Sequence, residues 1–432
     1  MNARETALTV LLACRKQGAW SDSAIPAAIA RGGLDRRDAA LASRLCYGVI
    51  QNKRLLDWHI SRFLNRPIRD LQPVVLDVLR LGAYQIICMD RIPDSAAVNE
   101  AVEQAKRHAN RQAAGLVNGV LRSMSRGKPL PEPEDLATRY SHSPELVELL
   151  RQNVGEKTLE PLLRCHNETP PTTLQINSLR TDVGSVRREL ENAGAAVQTH
   201  PRMEDCLLLS GGGGLGDLPC FRRGEVYVQD PAARMAVLAA DPRPGMRVLD
   251  CCAAPGGKSF AAAVAMEDRG EIVSCDLSEG KIRRIREGAD RLGLAAISAM
   301  VHDARTPEPS WEDRFDLVIC DAPCSGLGVI RKKPDIREKD LSATERLPEL
   351  QLEILSAVSR YVRPGGVLLY STCTILRREN EDVTAAFLRQ AEDFRREDFS
   401  VCGLDSTAGM LTLLPCIHDT DGFFMAKMRK LP

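Results

Sequence analysis

The sequence lacks any apolar run that approaches the roughly 18 residues a membrane-spanning helix requires, which predicts a soluble protein with no membrane partner. It also lacks a CxxC pair among its 14 cysteines, and Cys251 is followed directly by Cys252. Structural zinc sites and disulfide frameworks have other spacings, so we expect no metal. The thiols are expected to be reduced, as is typical of a cytoplasmic protein.

The sequence has no net charge either, because 58 Lys and Arg residues balance 58 Asp and Glu residues. This balance hides an asymmetry between two parts of the chain. Residues 1–128 carry 20 basic and 11 acidic side chains, a net charge of about +9, which leaves about −9 for the remainder. A basic part joined to an acidic part indicates that the first contacts a polyanion.

The hydrophobic pattern divides the 432 residues into several regions, as expected at roughly 150 residues per domain. Over 3–124 apolar residues recur at steps of three and four, which predicts helices and almost no strands. Prolines at 129, 131 and 133 cannot continue a helix and predict a domain boundary. We expect a helical domain over 1–128, a linker with helices over 129–164, a small α+β module over 165–232 with a glycine turn at 211–214, and an α/β domain over 233–432.

Within the α/β domain, short apolar strands alternate with amphipathic helical segments. The predicted strands are 246–249, 271–274, 297–301, 315–319 and 367–370. This alternation is typical of a parallel sheet with crossover helices. Ligands of such sheets bind at the carboxyl ends of the strands, so functional residues are expected at those ends.

The first of these strands ends in a loop, DCCAAPGGKS at residues 250–259, that leads into a helix. Glycine lets backbone approach a ligand closely and point free N–H groups at it. One alternative is a tight turn without a ligand, and another is the phosphate-binding loop of a nucleoside triphosphatase. That second motif needs glycine or alanine five residues before Gly257, where Cys252 stands, so it is disfavoured.

Acidic residues follow three later strands, namely Asp276, Asp303 and Asp321. Asp276 lies 26 residues after Asp250, close to where a doubly wound nucleotide-binding unit places its ribose-binding acid. One such acid is usually a solvated cap. Three at successive strand ends, without a phosphate-binding cluster of Lys and Arg, predict a site for an adenosine-shaped ligand.

Two cysteines, Cys324 and Cys373, differ from the others because they lie in polar, turn-forming sequence just beyond an apolar strand. They occur in the segments CDAPCSGLG and YSTCT. A buried, inert thiol is the usual state of a cysteine. At the functional edge of a sheet, however, a thiolate can be exposed and activated as a nucleophile.

Taken in order, DCCAAPGGKS, VSCDLS, VHDA, CDAPCSGLG and YSTCT resemble the motifs of the S-adenosylmethionine-dependent RNA cytosine-C5 methyltransferases. Within 1–128, the segments LRLGAYQ, AAVNEAV and GLVNGVLR resemble the RNA-binding NusB domain. A NusB-like domain ahead of such a methyltransferase is similar to the RsmB or Sun type of bacterial 16S rRNA cytosine-967 methyltransferases. The resemblance covers nearly the whole chain.

This resemblance implies a multidomain fold with an all-α NusB-like domain, a small RRM-like α+β module and a Rossmann-like methyltransferase domain. It implies that Cys373 is the nucleophile that adds to cytosine C6, and that Cys324 assists release of the methylated base. Asp321 is expected to hydrogen-bond the N3 side of the base. The residues implied for binding S-adenosylmethionine are Cys252, Ala253, Ala254, Pro255, Gly256, Gly257, Lys258, Asp276, Asp303 and Asp321.

The implied partner is 16S rRNA, before or during subunit assembly, and not DNA. Methylation of transfer RNA or 23S rRNA remains an alternative, because no base-contacting residue can be identified from the sequence. A non-catalytic RNA-binding factor is the alternative from another class. The chain departs from the family pattern at Thr374 and at Arg337-Glu338, and the basic run that begins at Arg331 is expected to face either the substrate or solvent.

Overall fold

The computed structural model describes residues 2–17, 20–210 and 214–432, which form two compact units. The first unit comprises 1–167 and 332–339, and the second comprises 168–331 and 340–432. Most of the predicted glycine turn, 211–213, lies outside the described residues. Among the helices that are described, none is long and apolar enough to span a membrane.

The first unit is helical in its described part, as the periodicity of three and four residues predicts. Its α-helices are α1 (Ala3–Gln17), α2 (Ser21–Gly32), α3 (Arg36–Gln51), α4 (Lys53–Ser61), α5 (Pro73–Cys88), α6 (Asp94–His108), α7 (Arg111–Arg126), α8 (Leu136–Arg139), α9 (Pro144–Val154) and α10 (Glu156–His166). Helix α5 lies at the centre. It begins at Pro73, which is favoured in a first helical turn, and every residue from Asp77 to Ile86 is buried.

Segment 332–339 also belongs to the first unit, although it comes late in the chain. The guanidinium group of Arg337 is buried there and donates hydrogen bonds to the backbone carbonyls of Gln51 and His166, at 3.1 and 2.6 Å. These are the last residues of α3 and α10. A cation is favourable at helix C-termini, whose carbonyl groups lack partners within the helix. The sequence departure at Arg337 therefore has a structural explanation.

The second unit begins with the predicted α+β module. Its elements are β1 (Thr172–Ile176), α11 (Val183–Asn192), β2 (Ala196–His200), β3 (Met203–Ser210), α12 (Pro219–Arg222) and β4 (Val226–Val228). The strands form an antiparallel sheet in the order β2-β3-β1-β4. This βαββαβ arrangement confirms the RRM-like module.

The larger sheet of the second unit holds all five predicted strands. Its elements are α13 (Pro231–Ala240), β5 (Arg247–Asp250), α14 (Gly257–Ala265), β6 (Glu271–Asp276), α15 (Glu279–Leu292), β7 (Ile297–Val301), β8 (Phe315–Asp321), α16 (Leu347–Ser359), β9 (Val362–Thr372), α17 (Glu381–Gln390), β10 (Phe394–Arg396), β11 (Ser400–Val401), β12 (Leu404–Asp405), β13 (Met410–Leu413), α18 (Pro415–His418) and β14 (Phe423–Lys430). Strands β11 and β12 pair separately.

The order of the larger sheet is β10-β14-β9-β8-β5-β6-β7, and β13 also pairs with β14. Strands β5 to β9 are parallel to their neighbours within that group, whereas β14 runs antiparallel to β9. The chain leaves β5 first toward β6 and β7 and later returns to β8 on its other side. This reversal between β5 and β8 is the switch point at which doubly wound sheets bind ligands.

Helices cover both faces of the sheet, so its strands are apolar on both sides. In β8, Leu317 and Ile319 pack in a core with α13, α14 and α15. Val318 and Cys320 alternate with them and pack in a second core with α16 and α17. Because side chains of a strand point alternately to the two faces, a continuous apolar run is required here. The cores hold the carboxyl ends of β5, β6 and β8 side by side.

Candidate active site

A cavity of about 380 Å³ opens at these carboxyl ends. Seven predicted site residues line it: Cys252, Ala254, Asp276, Asp303, Asp321, Cys324 and Cys373. They follow five different strands, β5 to β9, and the fold brings them together at the switch point of the sheet. The volume lies in the range of pockets for small organic ligands.

The other predicted cofactor residues, Ala253, Pro255, Gly256, Gly257 and Lys258, belong to the loop after β5 and the start of α14 and do not line this cavity. Glycine is required at Gly256 for two reasons. Its φ angle is 109°, in a region unfavourable for other residues, and a Cβ atom there would lie 2.5 Å from the ring of Phe260. The glycines therefore shape the loop behind the cavity.

Asp276, at the end of β6, is only 6% exposed and accepts three hydrogen bonds. Its Oδ1 accepts from the backbone N–H of Leu277 at 2.7 Å and from Lys281 Nζ at 2.8 Å, and its Oδ2 accepts from the backbone N–H of Ala254 at 3.1 Å. A carboxylate has about four acceptor positions. The geometry leaves one acceptor position on Oδ2 for a ligand hydroxyl. The hydrogen bond from Ala254 also connects the loop after β5 to the end of β6.

Asp303, beyond β7, is more exposed and engages Arg305. Its two carboxylate oxygens accept from the Arg305 guanidinium at 3.0 and 2.7 Å, and these hydrogen bonds lower the pKa of Asp303 to about 2. The carboxylate is therefore negative at neutral pH. A ligand that binds Asp303 must share the carboxylate with the Arg305 guanidinium or displace that guanidinium.

The cavity combines these acids with an apolar wall, which suits an adenosine-shaped ligand. Leu350 and Ile354 of α16 contribute to this wall, and Leu277 lies beside Asp276 with 62% of its surface exposed. An exposed leucine at the edge of a cavity gains stability when a flat, weakly polar group covers it. The acids and the apolar wall thus fit the nucleoside part of S-adenosylmethionine.

Lys258 forms an ion pair on the other side of the cavity wall. Its Nζ lies 2.6 Å from Asp321 Oδ2, while Asp321 Oδ1 accepts a hydrogen bond from Ser371 Oγ at 2.8 Å. Burial lowers the pKa of Lys258, but the negative charge of Asp321 outweighs burial and the pKa lies above its ordinary value. The charges of Asp250 and Cys373 act in the same direction. By reciprocity, the ammonium group favours a thiolate at Cys373.

The two predicted cysteines meet at the cavity, with 3.2 Å between Cys324 Sγ and Cys373 Sγ. The hydrogen bond to Cys373 and burial together raise the pKa of Cys324 well above its ordinary value. The raised pKa favours the protonated thiol at Cys324, and either sulfur can be the donor of the hydrogen bond between the two. With Lys258 nearby, the arrangement assigns the stronger nucleophile to Cys373.

Asp250, at the end of β5, is buried beneath the loop. Its Oδ2 accepts a hydrogen bond from Ser259 Oγ at 2.7 Å, and Ser274 Oγ donates to Ser259 Oγ at 2.8 Å. Its Oδ1 has no hydrogen-bond partner in the described part of the chain. Burial raises the pKa of Asp250 to about 7. The carboxyl group connects the loop to its strand and does not line the cavity.

The structure separates the residues of the basic run that begins at Arg331 and adds residues that were not predicted. The Arg331 side chain is 9% exposed, lies 3.7 Å from Asp421 and donates to the Thr420 carbonyl, whereas the Lys333 side chain is exposed. The residues of the cavity wall that were not predicted are Cys251, Leu277, Lys281, His302, Ala304, Arg305, Ala322, Pro323, Leu350 and Ile354. Those that directly follow predicted strands could have been found from their position, whereas α16 carries no local signal that it borders a cavity.

Comparison with known proteins accounts for nearly the whole chain. A sequence model described as 16S rRNA methyltransferase RsmB/F matches 237–429, a NusB family model matches 1–126, and a model of an RsmF/B-like ferredoxin-like domain matches 142–214. The chain is 38% identical to the probable ribosomal RNA small subunit methyltransferase B of Bacillus subtilis, over 99% of both chains. It is 35% identical to ribosomal RNA small subunit methyltransferase B of Vibrio cholerae, over 100% of this chain and 98% of that protein.

A solved structure has a similar fold over about two thirds of the chain. The crystal structure of a methyltransferase homologue from Pyrococcus horikoshii matches with a TM-score of 0.58 and 26% identity, over 69% of this chain and 98% of that chain.

Proposed function

The chain belongs to the RsmB/F family of 16S rRNA methyltransferases, and from this premise we propose that it methylates C5 of a cytosine in 16S rRNA through a covalent adduct with Cys373. The observation that carries the proposal is the distance of 3.2 Å between the sulfur atoms of Cys324 and Cys373 at the cavity. One thiol is enough to add to a base. A second thiol beside it has a role when the adduct must be resolved.

Covalent addition is required because C5 of cytosine is a poor nucleophile. The Cys373 thiolate forms a bond to C6, which breaks the ring's aromaticity and turns C5 into an enamine carbon. S-adenosylmethionine, when bound, supplies an electrophilic methyl group to that carbon. Cys324 then takes the C5 proton as its thiolate, and the electron pair of the C5–H bond restores the double bond as the C6–sulfur bond breaks. Cys373 leaves as a thiolate.

Cys324 must first lose its proton to solvent to act in this last step, and the proton that N3 gains from solvent when the thiolate adds returns to solvent when the adduct breaks down. We infer that Cys324 donates to a Cys373 thiolate across the 3.2 Å contact, and that the negative charge of this thiolate is used when the bond to C6 forms. Loss of that charge removes the hydrogen bond that raises the pKa of Cys324. Nucleophilic attack therefore makes the second thiol easier to deprotonate.

Lys258 is proposed to act on the nucleophile, and Asp321 on the base. The Lys258 charge favours the Cys373 thiolate before attack, and its ion pair holds the Asp321 carboxylate at the cavity. Asp321 is proposed to accept a hydrogen bond at the N3 side of the adduct, where an added proton needs an acceptor. Asp276, Asp303 and the loop after β5 are proposed to bind S-adenosylmethionine.

The RNA substrate reaches this site as an extruded or single-stranded nucleotide, because a base inside a helix stack cannot contact the cysteines. The helical part, residues 1–128, is proposed to bind the RNA through its excess of about nine positive charges. A ribosomal RNA substrate implies a cytoplasmic protein that acts before or during subunit assembly.

The test is methylation of purified RNA by the full chain with S-adenosylmethionine that carries a labelled methyl group. Separate reactions contain 16S rRNA, 23S rRNA and transfer RNA, and the product nucleoside is identified by mass spectrometry and located by bisulfite sequencing. We expect 5-methylcytidine in 16S rRNA alone, and no label with the Cys373→Ala variant. A label on a ring nitrogen or exocyclic nitrogen, or in another RNA, contradicts the proposal.

A further inference from the structure

Two consecutive buried residues, Glu379 and Asn380, lie next to the cysteine pair without lining the cavity. Glu379 ends a 3-10 turn, and Asn380 is the N-cap residue of α17. Asparagine at an N-cap usually accepts a hydrogen bond from the first turn of its own helix. The Asn380 side chain makes no such bond, so its hydrogen-bonding groups are used elsewhere.

Glu379 holds the loop around Cys324. Its Oε2 accepts a hydrogen bond from the backbone N–H of Ser325 at 2.9 Å and another from Gln351 Nε2 at 2.9 Å. Gln351 Nε2 also donates to the carbonyl of Pro323 at 3.0 Å. The residues before and after Cys324 are therefore both fixed, one directly by Glu379 and one through Gln351.

Asn380 holds the loop around Cys373 in the same way. Its Nδ2 donates to the carbonyl of Thr374 at 3.0 Å, and its Oδ1 accepts from Thr372 Oγ1 at 2.6 Å. The residues before and after Cys373 are thus bound to a single side chain. Ser325 Oγ and Thr374 Oγ1, each one residue beyond a cysteine, lie 2.8 Å apart and join the two loops directly.

The buried carboxylate of Glu379 does not favour the stability of the fold. It is fully buried, its Oε1 has no hydrogen-bond partner, and it makes no ion pair within the described ranges. Burial of a carboxylate without a cation opposes folding, and a neutral side chain would hold the same loop at lower cost. A residue whose burial opposes folding is a candidate for a role in the reaction.

We propose that Glu379 and Asn380 are positioning residues that set the placement of the two thiols, Glu379 for Cys324 and Asn380 for Cys373. The proposal rests on the function proposed above, in which the thiols act in different steps. A displacement of about 1 Å at a reacting group can lower its rate by roughly two orders of magnitude. Loss of Glu379 therefore slows the resolution of the adduct, and loss of Asn380 slows its formation.

The first experiment follows the covalent protein–RNA complex over time on denaturing gels, with the full chain and 16S rRNA. Glu379→Ala is expected to accumulate the complex at least fivefold above the native protein, because formation continues while resolution slows. Asn380→Ala is expected to form it at least tenfold more slowly, without accumulation. Glu379→Gln keeps a carbonyl oxygen to accept both donors, and it is expected to recover most of the resolution rate that Glu379→Ala loses.

Thr384→Ala is the matched control, because the Thr384 side chain is also buried, lies in α17 and donates its hydroxyl to Glu381 O and Met410 Sδ, away from the cysteines. Its backbone N–H, which donates to the Asn380 carbonyl, is unchanged by the substitution. It is expected to leave both rates unchanged. The proposal is overturned if Glu379→Ala and Asn380→Ala each lower the rates of adduct formation and adduct resolution equally, in proportion to the unfolded fraction measured by circular dichroism. Both residues would then act in folding only.

A second experiment without RNA separates this inference from the proposed function. Diamide oxidises the two thiols to a disulfide, and the hydrogens lost by Cys324 and Cys373 reduce diamide to its hydrazine. Peptide mapping gives the rate for this pair. Glu379→Ala and Asn380→Ala are expected to slow it at least fivefold relative to Thr384→Ala, and unchanged rates overturn the positioning role. If Cys324→Ala yields no RNA adduct, the proposed function fails and the diamide rates alone decide the inference.

Discussion

The ammonium group of Lys258 lies 2.6 Å from Asp321 Oδ2, and this ion pair connects the loop after β5 to the strand that leads to Cys324. Lys258 was expected among the cofactor-binding residues. Its side chain instead lies behind the cavity wall, near Cys373. From this position we propose that Lys258 stabilises the Cys373 thiolate, and its expected contact with the cofactor stays a prediction.

Replacement of Lys258 by Met is therefore expected to shift the reactivity of Cys373 to higher pH. The thiolate loses a favourable positive charge, so a higher pH is needed to produce it. Iodoacetamide labelling of Cys373 as a function of pH, followed by peptide mapping, measures the shift. An unchanged labelling profile in a folded variant would show that Lys258 does not act on this thiol.

Replacement of each of the two cysteines is expected to block a different step of the reaction. Cys373→Ala removes the proposed nucleophile and should abolish methyl transfer while it leaves S-adenosylmethionine binding intact. Cys324→Ala should accumulate a covalent protein–RNA species, because the group proposed to take the C5 proton is lost. Denaturing gels and calorimetry measure the two properties. A stable adduct in the Cys373 variant would reverse the assignment.

The strand ends could be predicted from the sequence because each depends on a local pattern. A strand of a covered parallel sheet needs a continuous apolar run, and the run stops where polar residues such as Asp276 meet the cavity. Glu379 and Asn380 could not be predicted, because their partners are fixed only when β9 and the loop after β8 lie side by side. The place of Arg337 among helix ends more than 170 residues away is likewise set by tertiary structure.

Strand β14 also could not be predicted from the sequence, because its apolar pattern is interrupted. It is almost entirely buried, yet it contains Lys427 and Arg429, which weaken the apolar pattern. Both side chains pair with Glu397. Charge pairing across the sheet edge thus replaces the apolar signal from which the other strands were predicted.

Asp276→Ala is expected to weaken S-adenosylmethionine binding by roughly 1.5 to 3 kcal/mol, because ligand hydroxyls lose a charged acceptor. The same substitution also frees Lys281 and the Ala254 N–H, so Lys281→Ala serves as the control for loss of the ion pair alone. Calorimetry on both variants separates the effects. Unchanged affinity in a folded Asp276→Ala protein would remove this residue from the site.

Arg337→Ala is expected to destabilise the helical unit by about 3 kcal/mol or more, because the buried carbonyls at the ends of α3 and α10 lose their donor. Arg337→Lys should recover only part of this loss, since one ammonium group cannot reproduce the planar fork of the guanidinium. Hydrogen exchange of the α3 and α10 amides measures the effect. Arg305→Ala, a change at an exposed arginine of the other unit, should leave this exchange unaltered.

Asp250 makes the stability of the second unit depend on pH. Burial raises the pKa of Asp250 to about 7, whereas an unfolded chain has an aspartate pKa of about 3.9. The folded state therefore binds this proton more tightly, and the resulting stabilisation is fully present below about pH 4 and is lost as pH rises through 7. Three pKa units correspond to about 4 kcal/mol as an upper limit. Nearby Lys258 opposes the shift, while Asp276 and Asp321 add to it.

Asp250→Asn has no such proton to lose, so the free energy of unfolding of the native protein should fall relative to that of the variant between pH 5 and pH 8. Asparagine still accepts the hydrogen bond from Ser259 Oγ, which keeps the loop attached to its strand. Hydrogen exchange of the β5 and α14 amides at both pH values reports on this unit alone. The free energy of unfolding of the native protein must fall relative to that of the variant as pH rises, because only the native chain has to ionise a buried carboxyl group. A difference that stays constant would show that Asp250 is already ionised at pH 5 in the folded state.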